Sequence, residues 1–101
     1  MIVIKKEPGK DPILTDINNT LEALQNAVGG YIETFTIGAG MTVICNEEGR
    51  ILGLPYNCTF KNWQDFYGTI VIAGSGGEEF IDVPVTASRL FAGDMWVKED
   101  A

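Results

Sequence analysis

Apolar and polar positions divide this chain into short blocks, most with a period of two and one with the spacing of a helix. Residues 2–6 (IVIKK) read as a strand, closed by a turn at Glu7-Pro8-Gly9-Lys10, and residues 13–17 (ILTDI) as a short strand pairing back. The clearest helix covers about residues 20–28. Leu21, Leu24 and Val28 fall on one face, Asn19 and Glu22 have the spacing of a capping box, and Gly29-Gly30 supplies the stop. From Tyr31 to Ile37 the pattern alternates, with Tyr31, Glu33, Phe35 and Ile37 on one face and Ile32, Thr34 and Thr36 on the other. Met41 to Asn46 is a further strand. Glu47-Glu48-Gly49 is a turn whose glycine is expected to take a positive φ, and Arg50 to Leu54 returns as the partner strand before Pro55.

Beyond Pro55 the pattern weakens. Residues 56–66 read as irregular or as a short helical turn, with Phe60, Trp63, Phe66 and Tyr67 at roughly helical spacing. Thr69 to Ala73 is a strand, a glycine-rich loop covers 74–77, and Phe80 to Val83 is its partner. Thr86 is placed to cap a short C-terminal helix through Phe91, with Trp96 anchoring the tail. The sum is an α+β fold. It has a mainly antiparallel sheet of five to seven strands, one firm helix and one short C-terminal helix, in a single domain spanning 1–101.

At 101 residues with 46% apolar content the chain can bury a core without disulfides or metal. Its longest aliphatic run, Ile70-Val71-Ile72-Ala73, is far too short to span a membrane. Met1-Ile2-Val3-Ile4 ahead of the lysines reverses the order of a signal peptide, so a cytoplasmic location is expected, with Cys45 and Cys58 as reduced thiols. Charge changes the picture more. The net charge is −7, and four basic against thirteen acidic residues leave −9 over residues 11–101. Such a surface repels nucleic acid and anionic membrane and steers toward basic partners.

Candidate chemistry is sparse. The chain has no histidine, which removes the commonest general base, the usual triads and most zinc or iron sites. Cys45 sits mid-strand in an apolar run, and Cys58 lies in a loop without a histidine to activate it. The carboxylate pairs Glu47-Glu48 and Glu78-Glu79 flank glycine turns, and neither suggests a sugar-sized cleft. The stretch "GTIVIAGSGGEEF" (68–80) lacks the Gly-Lys-Ser/Thr closure of a phosphate loop and puts glutamates where phosphate would sit. It is expected to be a hairpin. No metal, cofactor or direct nucleic-acid contact is expected.

Three stretches in order, "GKDPILTDINNTLEALQNAVGGYIE" (9–33), "VICNEEGRILGLPYN" (43–57) and "GTIVIAGSGGEEF" (68–80), resemble a family of small proteins known as domain of unknown function 3846. The resemblance covers about residues 1–80, and the C-terminal part departs from it, with Val83-Pro84-Val85 and a short "TASRLF" where the family tends to a longer polar helix. It implies a setting in Gram-positive bacteria, their phages and mobile elements, near antirestriction genes. It supplies no catalytic residue. Within the second stretch, Asn46, Glu47, Glu48, Arg50 and Asn57 are the candidate binding residues: a polar patch for a partner or ligand, or the framework of a tight hairpin with a proline exit.

Three functional readings follow. The first is a non-catalytic, mobile-element-encoded binder that occupies a basic surface on a host protein of defence or nucleic-acid handling. The second is a module that sequesters a small ligand or nucleotide, and the third an enzyme using carboxylates alone. Net acidity favours the first, and a homo-oligomer stays open. Two arginines weigh against tight phosphate capture, while five lysines keep it open.

Overall fold

The computed structural model describes residues 1–38, 40–60 and 64–84 and the backbone of residues 96–97. The main sheet contains β1 (Ile2–Lys6), β2 (Ile13–Asp16), β3 (Ile32–Gly38), β4 (Met41–Asn46), β7 (Ile70–Gly76) and β8 (Glu79–Ile81). Its strand order is β2-β1-β7-β4-β3, every pair is antiparallel, and β8 folds back on the end of β7. A second, three-stranded sheet is formed by β5 (Tyr56–Phe60), β6 (Asp65–Tyr67) and β9 (Trp96–Val97) in the order β6-β5-β9. The single helix among the described residues, α1, runs Leu21–Val28.

The two faces of the main sheet are both covered. On one, Ile4, Met41, Val43, Cys45, Ile70 and Ile72 pack against Cys58, Phe60 and Phe66 of the second sheet. On the other, Val3, Ile44, Val71 and Ala73 pack against Leu24 of α1. A central strand buried on both faces needs apolar residues at consecutive positions, which is why MTVIC and IVIA read as runs rather than alternations. The α+β class, the mainly antiparallel sheet and the helix agree with the sequence reading.

Several local expectations are corrected. The N-cap of α1 is Thr20, whose Oγ1 accepts from the Ala23 N–H at 3.1 Å; Asn19 instead donates its Nδ2 to the Phe80 carbonyl at 2.9 Å. Leu21 is exposed, and the helix is anchored by the buried Leu24 and Val28, with Ala27 packing beside them. At the other end Gly29 takes φ 78°, and its N–H donates to the Gln25 carbonyl at 2.8 Å.

Arg50 to Leu54 is not a strand. β4 is already paired on both edges, by β3 and β7, so no edge remains for it. The segment coils into turns closed by Leu52 N–H to Glu48 O (2.8 Å), Gly53 N–H to Arg50 O (3.1 Å) and Leu54 N–H to Gly49 O (3.0 Å). Gly53 carries the positive φ of 71° expected of Gly49. Gly49 is required for closeness instead, because a Cβ there would stand 2.8 Å from the Tyr67 carbonyl oxygen.

Residues 56–60 and 65–67 form the hairpin β5–β6 rather than an irregular or helical stretch; Trp63 lies outside the described residues. Cys58 is therefore a buried strand residue, not a loop thiol. The glycines at 74 and 76 belong to β7, paired with Ile81 and Glu79, and Gly77 (φ 76°) makes the turn. The hairpin reading of 68–80 holds. The expected helix at 86–91 lies outside the described residues.

Candidate functional site

Two of the five predicted binding residues prove to be internal. Asn46, at the end of β4, is buried and holds two elements together. Its Nδ2 donates to the Val28 carbonyl at 3.2 Å, filling a free acceptor at the helix C-terminus, and its Oδ1 accepts from the Glu48 N–H at 2.8 Å. The second glycine of Gly29-Gly30 makes room for it, since a Cβ on Gly30 would lie 2.8 Å from Asn46 Nδ2. Asn57 is 1% exposed. Its Nδ2 donates to the carbonyls of Lys6 and Gly68, both at 2.8 Å, tying the end of β1 to the second sheet across a break in the β5–β6 register. Its Oδ1 has no hydrogen-bond partner.

Glu47, Glu48 and Arg50 are exposed, as a binding role requires. Glu47 and Arg50 line a cleft of about 380 Å³ where β3 and the end of β4 face β6. β3 contributes Glu33 and Phe35, β4 contributes Cys45, and β6 contributes Asp65, Phe66 and Tyr67. Packing fixes the aromatic wall: Phe35 and Phe60 both meet Phe66 edge-on, with centroids 5.6 and 5.3 Å away.

A polar chain holds Asp65 and Tyr67, on either side of Phe66 in β6. Thr59 Oγ1 donates to Asp65 Oδ1 at 2.6 Å and also bonds the Tyr56 hydroxyl. The Arg50 guanidinium reaches Asp65 Oδ2 at 3.3 Å and the Tyr67 hydroxyl at 3.0 Å, and lies 5.0 Å from the centre of the Tyr67 ring. The Tyr67 hydrogen bond, with Asp65 adding its charge, holds the guanidinium above its ordinary pKa. Arg50 is thus already engaged by the cleft's own groups.

The cleft is therefore lined by three carboxylates, of Glu33, Glu47 and Asp65, and one guanidinium; Asp65 pairs with Arg50, which leaves the charges of Glu33 and Glu47 uncompensated within the cleft, a net −2. Its thiol does not favour nucleophilic chemistry: burial, and then the neighbouring Glu33 charge, push Cys45 up to about 11, so it stays protonated at neutral pH. The Sγ–H donates to the Glu33 carbonyl at 3.6 Å. Among the described residues no group of three or more His, Cys, Asp or Glu could hold a metal ion, and no helix is long and apolar enough to cross a membrane. What the arrangement can do is receive a positively charged group.

Basic counterweights are few. Lys6 is buried with Nζ donating to the carbonyls of Glu7 and Lys10, and Lys10 pairs with Glu7 at 3.2 Å. Lys6 and Lys10 are thus engaged by their neighbours, and Lys5 on β1 is partly exposed. Sequence reasoning missed Glu33, Asp65 and Tyr67. Alternation of Asp65 and Tyr67 on a strand would have put both on the face that engages Arg50, but reading 56–66 as irregular hid that pattern.

Compared with known proteins, residues 1–93 match the model of a family described as "Domain of unknown function (DUF3846)", which extends past the stretch from 1 to 80 that carries the resemblance. No curated protein and no solved structure matches the chain.

Proposed function

We propose that this chain, which belongs to the DUF3846 family, is a non-enzymatic binding protein whose acidic side docks on a basic face of another protein. The observation that carries the reading is the cleft lined by Glu33, Glu47 and Asp65, in which Arg50 is occupied by Asp65 and Tyr67. Glu48 extends the negative rim on the adjoining turn. A net charge of −7 adds long-range steering toward cations and away from nucleic acid. The class of partner proposed is a host defence or nucleic-acid-handling factor, because proteins that grip phosphates carry basic faces of the kind this surface complements.

Nucleotide sequestration draws no comparable support. Phosphate recognition needs a free guanidinium or converging N–H donors, whereas among the described residues the one arginine, Arg50, is engaged and shares its cleft with carboxylates. The test is capture of partners from a host lysate on immobilised protein at about 50 mM and about 500 mM salt, with Glu47→Lys/Glu48→Lys as the comparison. Docking by charge predicts a partner that is lost both at high salt and on reversal, while the variant keeps its unfolding midpoint. A partner held equally under all conditions would refute it.

A further inference from the structure

The outer edge of β3 borders the acidic cleft, and its backbone groups can be assigned. Tyr31 O accepts from Glu47 N–H at 3.0 Å, so Tyr31 and Glu47 form a hydrogen-bonded pair. Antiparallel pairs alternate between bonded and non-bonded, so Glu33–Cys45 and Phe35–Val43 are bonded and Ile32–Asn46, Thr34–Ile44 and Thr36–Thr42 are not. The N–H and C=O groups of Ile32, Thr34 and Thr36 therefore point away from β4. Among the described residues no strand pairs with that edge.

Glu33 is the one charged side chain on this edge, and the other usual protections are few. β3 is seven residues long, contains neither proline nor lysine, and is bulged only at its end, between Thr36 and Gly38. The opposite edge, β2, is four residues long and follows Pro12. Side chains on the two sides of β3 are also unlike. Glu33 and Phe35 face the cleft, whereas Thr34 and Thr36 are exposed on the other face.

We propose that β3 is a strand-addition site: an extended, lysine- or arginine-bearing segment of the partner protein pairs with Ile32, Thr34 and Thr36. Its alternate basic side chains enter the cleft among Glu33, Glu47 and Asp65. This deepens the acidic-docking reading and rests on it. Main-chain bonding supplies affinity, and the carboxylates select for positive charge. Charge also decides against a second copy as the occupant, since β3 brings Glu33 and no cation, and each chain carries −7.

The probe is an octapeptide alternating lysine and valine, titrated into ¹⁵N-labelled full-length protein. Three controls accompany it: the same peptide N-methylated at alternate amides, a glutamate–valine peptide, and the Thr34→Pro variant. Thr34→Pro removes an outward N–H and no internal ladder bond, so folding is retained, as its amide spectrum and unfolding midpoint will show. Strand addition predicts amide shifts centred on Ile32, Thr34 and Thr36, and exchange at these amides slowed about tenfold or more by the peptide. Methylation on the bonding edge and Thr34→Pro should each weaken binding about tenfold or more. Equal binding of the methylated peptide and by Thr34→Pro overturns strand addition but leaves acidic docking standing. Binding of neither cationic peptide, or preference for the glutamate peptide, overturns both. Exchange already slow at Thr34 and Thr36 in the free protein, or a dimer by sedimentation that Thr34→Pro dissolves, would show the edge filled and also overturn the proposal.

Discussion

Replacing Asn57 with alanine should unfold this domain more readily without touching its binding surface. The Asn57 Nδ2 is the donor to two buried carbonyls, Lys6 O and Gly68 O, each at 2.8 Å. Removing it leaves Gly68 O without that donor, at about 1–3 kcal/mol, and takes a second donor from Lys6 O, which still faces the Ile70 N–H across the β1–β7 pair, at about 0.5–1.5 kcal/mol. The orphaned Oδ1 disappears in the same change, returning a penalty of similar size. The net loss is about 1 kcal/mol, a fall of about 0.5 M in urea midpoint with an unchanged slope. Asn57→Asp should be worse, because it sets a buried carboxylate against two carbonyl oxygens. Its folded pKa would be raised, so its deficit deepens as pH climbs above about 4, where the unfolded chain's carboxyl ionises. The assay is urea denaturation followed by tryptophan fluorescence, with peptide binding measured on the folded variant. An unchanged midpoint for Asn57→Ala, or a binding loss without a stability loss, would refute the structural role and return Asn57 to the interface.

Leu24→Ala, at a site 2% exposed, should cost about 2–5 kcal/mol, whereas Leu21→Ala, at a site 59% exposed, should leave the urea midpoint within about 0.5 kcal/mol of the parent; equal effects would contradict the helix's orientation. The Cys45 thiol, pushed up to about 11, should react slowly with iodoacetamide at pH 8 in the folded chain and readily in urea. Because the folded state holds that proton more tightly than the unfolded one, its contribution to stability should decline as pH rises from about 9 toward 11, and fast labelling at pH 8 would contradict the burial.

The fold was legible where a segment's own pattern decided its state. Helix α1 announces itself by apolar spacing and the glycine stop, and β3 by strict alternation. Legibility failed where neighbours decided. Arg50 to Leu54 has strand-like composition, yet β4 had no vacant edge to offer it. β5 and β6 are joined across Lys61-Asn62-Trp63, whose aromatic and polar residues blur the alternation on either side. Of the site, the turn residues Glu47 and Arg50 were visible as exposed polar positions, but Asn46 and Asn57 look the same in sequence. Only the carbonyls of Val28, Lys6 and Gly68, brought in from other elements, mark them as internal. Glu33 and Asp65 became site residues through the meeting of two sheets, which no local pattern records.

Reception of a basic protein segment by the acidic cleft is open to a simple binding assay. Its most direct measurement is the affinity of the lysine–valine octapeptide for the parent chain and for Glu33→Lys/Glu47→Lys, by fluorescence anisotropy at low and high salt. Two reversals replace attraction by repulsion at distances where each charge contact in water is worth about 1 kcal/mol, so affinity should fall about tenfold or more. The parent's own affinity should also drop as salt rises, while the variant's responds little. Undiminished binding by the folded variant, or parent affinity indifferent to salt, would contradict the claim.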